Sequence, residues 1–190
     1  MQSNYQDVNA LLNDDEEVLL ELKPNRKRYL YIGNVVGLFF GLIFSSIFLL
    51  IAILGLVGVI TADPGSRFGF IIMLIAGLIP TISTIVNFFA GFKRYENHAY
   101  IVTNQRLLIR SGLVGVDFKE MLISSISSID VRVDFLDKLV NPNTGTISFA
   151  NAANPVMNGQ NGRQGVSNFR FDYIENPYDV YKKIKELVKQ

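Results

Sequence analysis

Between Tyr29 and Ile60, and again between Phe68 and Phe92, the chain carries no Asp, Glu, Lys or Arg, and apolar residues run almost without interruption. A helix crossing a bilayer needs about 20 predominantly apolar residues to span about 30 Å of hydrocarbon. Both windows meet that length, so the pattern predicts helices over about 29–60 and 68–92, with Pro80 inside the second. A proline there frees a backbone carbonyl, and Thr81, Ser83 and Thr84 are placed to satisfy it. The connector Thr61-Ala62-Asp63-Pro64-Gly65-Ser66-Arg67 is short and turn-rich, which makes the two helices antiparallel neighbours. Two charge-free core helices of a soluble protein are the disfavoured alternative, because the rest of the chain is short for wrapping them.

Beyond Arg94 the pattern changes to short alternating segments rich in Ile, Val, Phe and Tyr and bounded by Asn, Gly, Ser and Pro. These predict strands at His98–Val102, Arg106–Arg110, Val116–Ile123, around Ile129–Phe135, at Thr146–Ala150 and at Ser167–Tyr173. Phe135–Val140 reads as one helical turn before the break Asn141-Pro142-Asn143-Thr144-Gly145, and Asn151–Gly165 reads as a long polar hairpin loop. Asn176 as N-cap, Pro177 at the first helical position and Asp179 in the first turn open a C-terminal helix. Its Val180, Ile184, Leu187 and Val188 form one apolar stripe. Upstream, Glu17–Lys23 alternates and predicts one more strand of the same sheet; a helical extension through Val8, Leu11 and Leu12 is the alternative.

The fold class expected is therefore α+β. A two-helix transmembrane hairpin precedes a small antiparallel barrel or sandwich closed by a C-terminal helix. The divisions fall at 1–28, a cytoplasmic N-terminal segment contributing one strand, at 29–92, the hairpin, and at 93–190, the soluble domain.

Composition sharpens this picture. The 190 residues are 49% hydrophobic with a mean hydropathy of +0.26 and only 18% charged, but the low charge belongs to the two apolar windows. Lys23, Arg26, Lys27 and Arg28 precede the first window and Lys93 and Arg94 follow the second, against Arg67 alone in the connector. This bias places both termini in the cytoplasm of a multi-pass plasma-membrane protein. With a net charge of +1 and no basic stripe, nucleic acid is not an expected partner. The chain has no Cys, hence no disulfide, thiolate nucleophile or Cys-type zinc site. No secretory signal is expected either, since the first 28 residues are polar and acidic.

Within the first helix Gly33, Gly37, Gly41 and Ser45 recur every four residues. Such a stripe of small side chains allows close approach of another helix, either in a second copy or in the same hairpin. Asn34 and Asn87 fall at similar depth, which predicts a contact between them worth about 1 kcal/mol.

The run Tyr100-Ile101-Val102-Thr103-Asn104-Gln105-Arg106-Leu107-Leu108-Ile109-Arg110-Ser111-Gly112 resembles the aromatic-x-x-Thr-x-x-Arg-hydrophobic stretch, ending in Gly, of bacterial pleckstrin-homology-like (PH-like) domains of the membrane-flanked type. Ile126, Ile129-Asp130-Val131, Phe135-Leu136-Asp137-Lys138-Leu139 and Ile174-Glu175-Asn176-Pro177-Tyr178-Asp179-Val180-Tyr181 continue the likeness, which covers about residues 15–190. The Asn/Gly-rich loop is longer than that family's pattern, and the break at 141–145 is less compact. The resemblance implies a PH-like barrel and a binding role without catalysis or cofactor. Thr103 and Arg106 are expected to be structural, the Thr bonding the turn backbone and the Arg bridging to a carboxylate such as Asp130 or Asp134.

Two binding modes follow. The domain binds protein, either a second copy or a membrane protein partner, at the inner face of the lipid bilayer. Alternatively, the basic membrane-proximal residues Lys23, Arg26, Lys27, Arg28, Lys93 and Arg94 recognise anionic lipid headgroups. For Lys23, Arg26 and Arg28 the spacing is similar to the phosphoinositide-binding cluster of eukaryotic PH domains. Catalysis and metal binding are not expected. His98 is the single histidine, and the glycines at 159, 162 and 165 neither follow a core strand nor open a helix as a phosphate loop does.

Overall fold

The computed structural model describes residues 6–58, 66–152 and 169–188. The connector residues 61–65 and most of the polar loop, 153–168, lie outside the described residues, as do Gly159, Gly162, Gly165 and the start of the strand expected from Ser167. The chain forms two compact units. One joins residues 1–29 to 94–190; the other is Leu30–Lys93.

The Leu30–Lys93 unit is an antiparallel pair of helices. A helical turn, α2 (Arg26–Leu30), leads into a π-helical segment, Tyr31–Val35, and then α3 (Val36–Leu56); α4 spans Ser66–Glu96 and runs through Pro80. The Thr81 hydroxyl donates to the carbonyl of Gly77, one position past the carbonyl that Pro80 leaves free. Close approach depends on glycines from both helices. A methyl group at Gly41 would strike Thr84, one at Gly55 the Phe70 ring, one at Gly77 the Leu49 side chain and one at Gly91 the amide of Asn34.

The four-residue stripe is therefore only partly used inside the hairpin. Gly41 packs on α4 and Ser45 is buried, whereas Gly37 has open space around it. The reason is helical drift. Four residues overshoot one turn by about 40°, and the π-helical segment at Gly33 adds a further offset. The expected Asn34–Asn87 contact does not form: Asn34 Nδ2 donates to Phe88 O at 3.4 Å, and Asn87 Nδ2 donates to Ser83 O of its own helix at 2.9 Å. Asn34 takes its interhelical partner from the α4 backbone instead of from the Asn87 side chain, and a carbonyl of its own helix satisfies Asn87.

In the other unit β1 (Val18–Leu22), β2 (Ala99–Thr103), β3 (Arg106–Ser111) and β4 (Asp117–Leu122) form one antiparallel sheet in that order. A second antiparallel sheet contains β5 (Ser128–Arg132), β6 (Thr144–Ala150) and β7 (Phe169–Glu175). Among the described residues β4 does not pair with β5. A 3₁₀ turn at Ile123–Ser125 carries the chain from one sheet to the other, so of the barrel or sandwich expected from sequence the described residues form two separate sheets and no closed barrel.

Alternation explains the core. Tyr100, Val102, Leu107 and Ile109 point from the first sheet into a cluster shared with Ile147, Phe149, Phe169 and Phe171 of the second, joined by Val180 and Ile184 of α6 (Pro177–Val188). Tyr100 stacks on Phe171 with ring centroids 4.6 Å apart, and Phe149 meets Phe171 edge-on at 4.9 Å. The opposite face of β2 and β3, with Ala99, Ile101 and Leu108, is covered by Val8 of a short turn, α1 (Gln6–Asn9), and by Leu12. The N-terminal segment thus supplies both an edge strand and a lid of apolar side chains. Replacing Phe171 by Ala should lower the unfolding free energy of the detergent-solubilised chain by about 4 kcal/mol, measured by chemical denaturation; a loss under about 1 kcal/mol would mean the sheets do not share this core.

Candidate functional site

The residues that border the apolar segments converge in the sheet unit. Asn25 opens α2: its side-chain oxygen accepts from the Arg28 N–H at 3.0 Å and its carbonyl from the Tyr29 N–H at 2.9 Å. The same residue is tied to β7, its N–H donating to Tyr173 O at 2.6 Å and its Nδ2 to Glu175 Oε1 at 2.7 Å. Tyr173 and Asn176 hold positive φ of 58° and 50°, a conformation Asn tolerates better than most residues. At Asn176 it bends the chain into α6, where the N–H groups of Asp179 and Val180 donate to the Asn176 carbonyl. Pro177, expected at the first helical position, begins α6 and is buried.

Arg28 is buried and its Nε lies 2.5 Å from Oδ1 of the buried Asp137; its guanidinium also sits 4.4 Å from the Tyr173 ring centre. The other Asp137 oxygen accepts from the Asp134 N–H at 3.0 Å, closing the first turn of α5 (Phe135–Val140). Arg28 therefore leaves the set of basic residues grouped for lipid contact, because its charge is consumed inside the fold. Net charge along a flank does not distinguish a surface cation from one buried against an acid.

Lys23, Arg26 and Lys27 are exposed. They line an open groove of about 710 Å³ together with Leu22, Pro24, Asn25, Tyr95, Asn141, Pro142 and Glu175. Three cations against one carboxylate, itself bonded to Asn25, make the groove suited to an anionic group. Lys93 and Arg94 are exposed at the end of α4 and are not among the groove residues.

Behind the groove lies an aromatic cluster that sequence reading missed. The Tyr29 ring is 5.6 Å from Tyr95, 5.7 Å from His98 and 6.5 Å from Tyr173, and His98 is 5.0 Å from Tyr100. Tyr100 Oη donates to Asp172 O and accepts from the Asp172 N–H at 2.8 Å. Burial pushes the Tyr100 phenol well above its usual range and lowers His98 to about 4, leaving the imidazole neutral near pH 7. Burial also raises the Asp172 carboxyl, against the pull of Arg170.

At the other end of the sheet, Thr103 and Arg106 hold the N-terminal segment. Thr103 Oγ1 accepts from the Arg106 N–H at 2.9 Å, bonding the turn as expected, and lies 2.7 Å from Glu16 Oε1. Arg106 does not reach Asp130 or Asp134. Its Nε and Nη2 grip the buried Glu16 at 3.0 and 2.9 Å, Nη1 meets Glu120, and Nη2 also donates to Leu11 O. Asp134 is instead paired with Arg132. Burial alone would raise the Glu16 carboxyl, but bonds from Arg106, Thr103 and Asn13 outweigh it and hold it below the usual range. Gly112 has a φ of 146°, and a methyl group there would strike the Gly115 carbonyl.

The sheet unit is thus a two-sheet domain with a C-terminal helix, its first strand separated from the rest in sequence by an apolar helix pair. Residues 35–187 match the family described as Bacterial PH domain, and the chain belongs to it. No curated protein and no solved structure matches the chain.

Two outcomes follow from this geometry. Asp137→Ala strands a buried guanidinium and should cost about 3 kcal/mol or more, whereas Arg28→Met combined with Asp137→Leu should recover much of the loss. Equal losses in both, by denaturant titration, would show that the pair is unimportant as a charge pair. For His98 the folded pKa lies below the unfolded 6.5, so the unfolded chain binds the extra proton and stability falls as pH drops from 6.5 towards 4. His98→Phe should flatten that part of the pH–stability curve relative to the parent; an unchanged slope would place the imidazole in contact with water.

Proposed function

We propose that the chain is a membrane-anchored PH-like module that binds protein, a second copy or a membrane protein partner, at the cytoplasmic face of the plasma membrane, without catalysis. The observation that carries the anchoring is the surface of the helix pair. Val36–Leu56 and Arg67–Glu96 are long and apolar enough to cross a bilayer, and their most apolar windows are only 11% and 6% buried. Phe39, Phe40, Phe44 and Phe89 are all at least 60% exposed, which water would penalise heavily and lipid would not. The binding role is supported by the family and by the open groove beside the flank. A second reading, recognition of anionic headgroups, is favoured by Lys23, Arg26 and Lys27 around that groove.

The absence of native cysteine makes topology directly testable. A membrane-impermeant maleimide should label Ala62→Cys in intact cells and Ser124→Cys only after permeabilisation; the reverse pattern would overturn the orientation. Crosslinking in native membranes followed by mass spectrometry should return adducts through residues of the sheet unit. Monomer alone under efficient crosslinking would sink the protein-binding role. Lys23→Ala, Arg26→Ala and Lys27→Ala together should leave those adducts in place if the partner is protein. If the groove takes a headgroup, the triple variant abolishes preferential crosslinking to photoactivatable phosphatidylglycerol over phosphatidylcholine.

A further inference from the structure

The turn between β3 and β4 is Gly112-Leu113-Val114-Gly115-Val116, and it contains no polar side chain. Hairpin tips facing water are normally built from Asn, Asp, Ser and Gly. Here Val114 is 98% exposed, and Leu113 and Val116 are 36% and 39% exposed. A methyl group on the positive-φ Gly112 would strike the Gly115 carbonyl, so the loop is tight; Val114 stands clear of the domain, while Leu113 and Val116 are partly covered by it.

Topology determines where this tip lies. β2 begins at Ala99, three positions after the last residue of α4, and β3 returns antiparallel to it with Ala99 opposite Arg110. The β3–β4 tip is thereby level with the start of β2, while the Asn104–Gln105 turn and Ser124 lie at the far end of the strands. Two hydrogen bonds lock this level. Asn97 Nδ2 donates to Gly112 O at 3.3 Å, and Arg110 Nη1 donates to Asn97 O at 2.9 Å. Asn97 is five positions beyond Phe92, the last residue of the apolar window, so the chain alone keeps it within about 18 Å of that boundary even if fully extended. Lys93, Arg94 and the acid Glu96 lie in that interval and are exposed, as is Lys119 on β4; Asp117 is a second acid, at the base of the tip.

We infer that Leu113, Val114 and Val116 insert into the interfacial layer of the bilayer beside the end of α4, and that this contact sets how the sheet unit lies on the membrane. The inference rests on the reading that α3 and α4 span a bilayer. An aliphatic tip with cations nearby matches that interface in chemistry: the aliphatic groups leave water while the cations remain among anionic headgroups. With three side chains presented from a constrained loop, little conformational entropy is lost on insertion.

The test uses the full chain in vesicles of phosphatidylethanolamine with a minority of phosphatidylglycerol, carrying an environment-sensitive dye on a single introduced cysteine. Val114→Cys reports the tip, Ser124→Cys the far end, and Phe44→Cys the middle of α3. The expected result is a blue-shifted Val114 reporter, quenched at least about twofold more by lipid-borne nitroxide than the Ser124 reporter and shielded from aqueous iodide. If the Val114 reporter matches Ser124 in both respects, the tip stays in water and the inference fails. Shielding from iodide without quenching from the lipid side would assign the tip to a protein contact and also overturn it. The Phe44 reporter separates the two levels: if it too escapes lipid quenching, the spanning helices themselves are misread.

Discussion

The buried pair Arg28–Asp137 ties the N-terminal segment into the sheet unit. The chain reaches Arg28, leaves for the apolar helices, and returns at Arg94, so the residues before the excursion have no short covalent route to the second sheet. Arg28 supplies a non-covalent tie by meeting Asp137, at 1% exposure, while Asn25 bonds Tyr173 and Glu175 of β7. Two desolvated charges gain little net stability over an apolar pair, yet removing one leaves the other without water or partner. The bond holds α2 against α5, and the Asn25 bonds hold it against β7.

Closing a domain across the insertion Leu30–Lys93 costs loop entropy that grows only logarithmically with length. What must be supplied locally is a reason for the N-terminal segment to return. β3 supplies it through two arginines on the same strand, Arg106 gripping Glu16 and the carbonyl of Leu11, and Arg110 holding Asp7. Their anchors bracket Val8 and Leu12, which cover the outer face of β2 and β3. Charge pairs position the segment; apolar burial keeps it there. This division explains why every residue of β2 is buried even though β1 and α1 arrive from the far side of the insertion.

Much of this was legible in the sequence because it depends on local period. Uncharged runs mark α3 and α4, alternation marks β2 through β6, and the stripe from Val180 to Val188 marks α6. Partners were less legible. Arg106 has acids near it in several predicted strands, and spacing alone does not say that the one it meets is Glu16, ninety positions earlier. Arg28 carries the same charge as Lys27 and differs only in facing inward. The small-residue stripe was distorted by the π-helical segment Tyr31–Val35, which no composition signal announced. The open arrangement of the two sheets likewise turns on the 3₁₀ turn at Ile123–Ser125, three residues whose pattern also fits a continuing strand.

The burial of Arg28 leaves the proposed orientation with its basic bias. Lys23, Arg26, Lys27, Lys93 and Arg94 still stand against Arg67 in the connector, and the rule counts basic residues close to the span ends, not net charge. What it changes is the meaning of the cluster. A cation paired in the fold contributes nothing to an anionic surface, so the groove keeps Lys23, Arg26 and Lys27 opposite Glu175, whose carboxylate is already engaged by Asn25. The charge nearest the first helix thus serves the fold and the charges one turn earlier face outward. An apolar segment placed inside a domain imposes that order: the residue at the junction must be fixed to the domain before its neighbours are available to anything else.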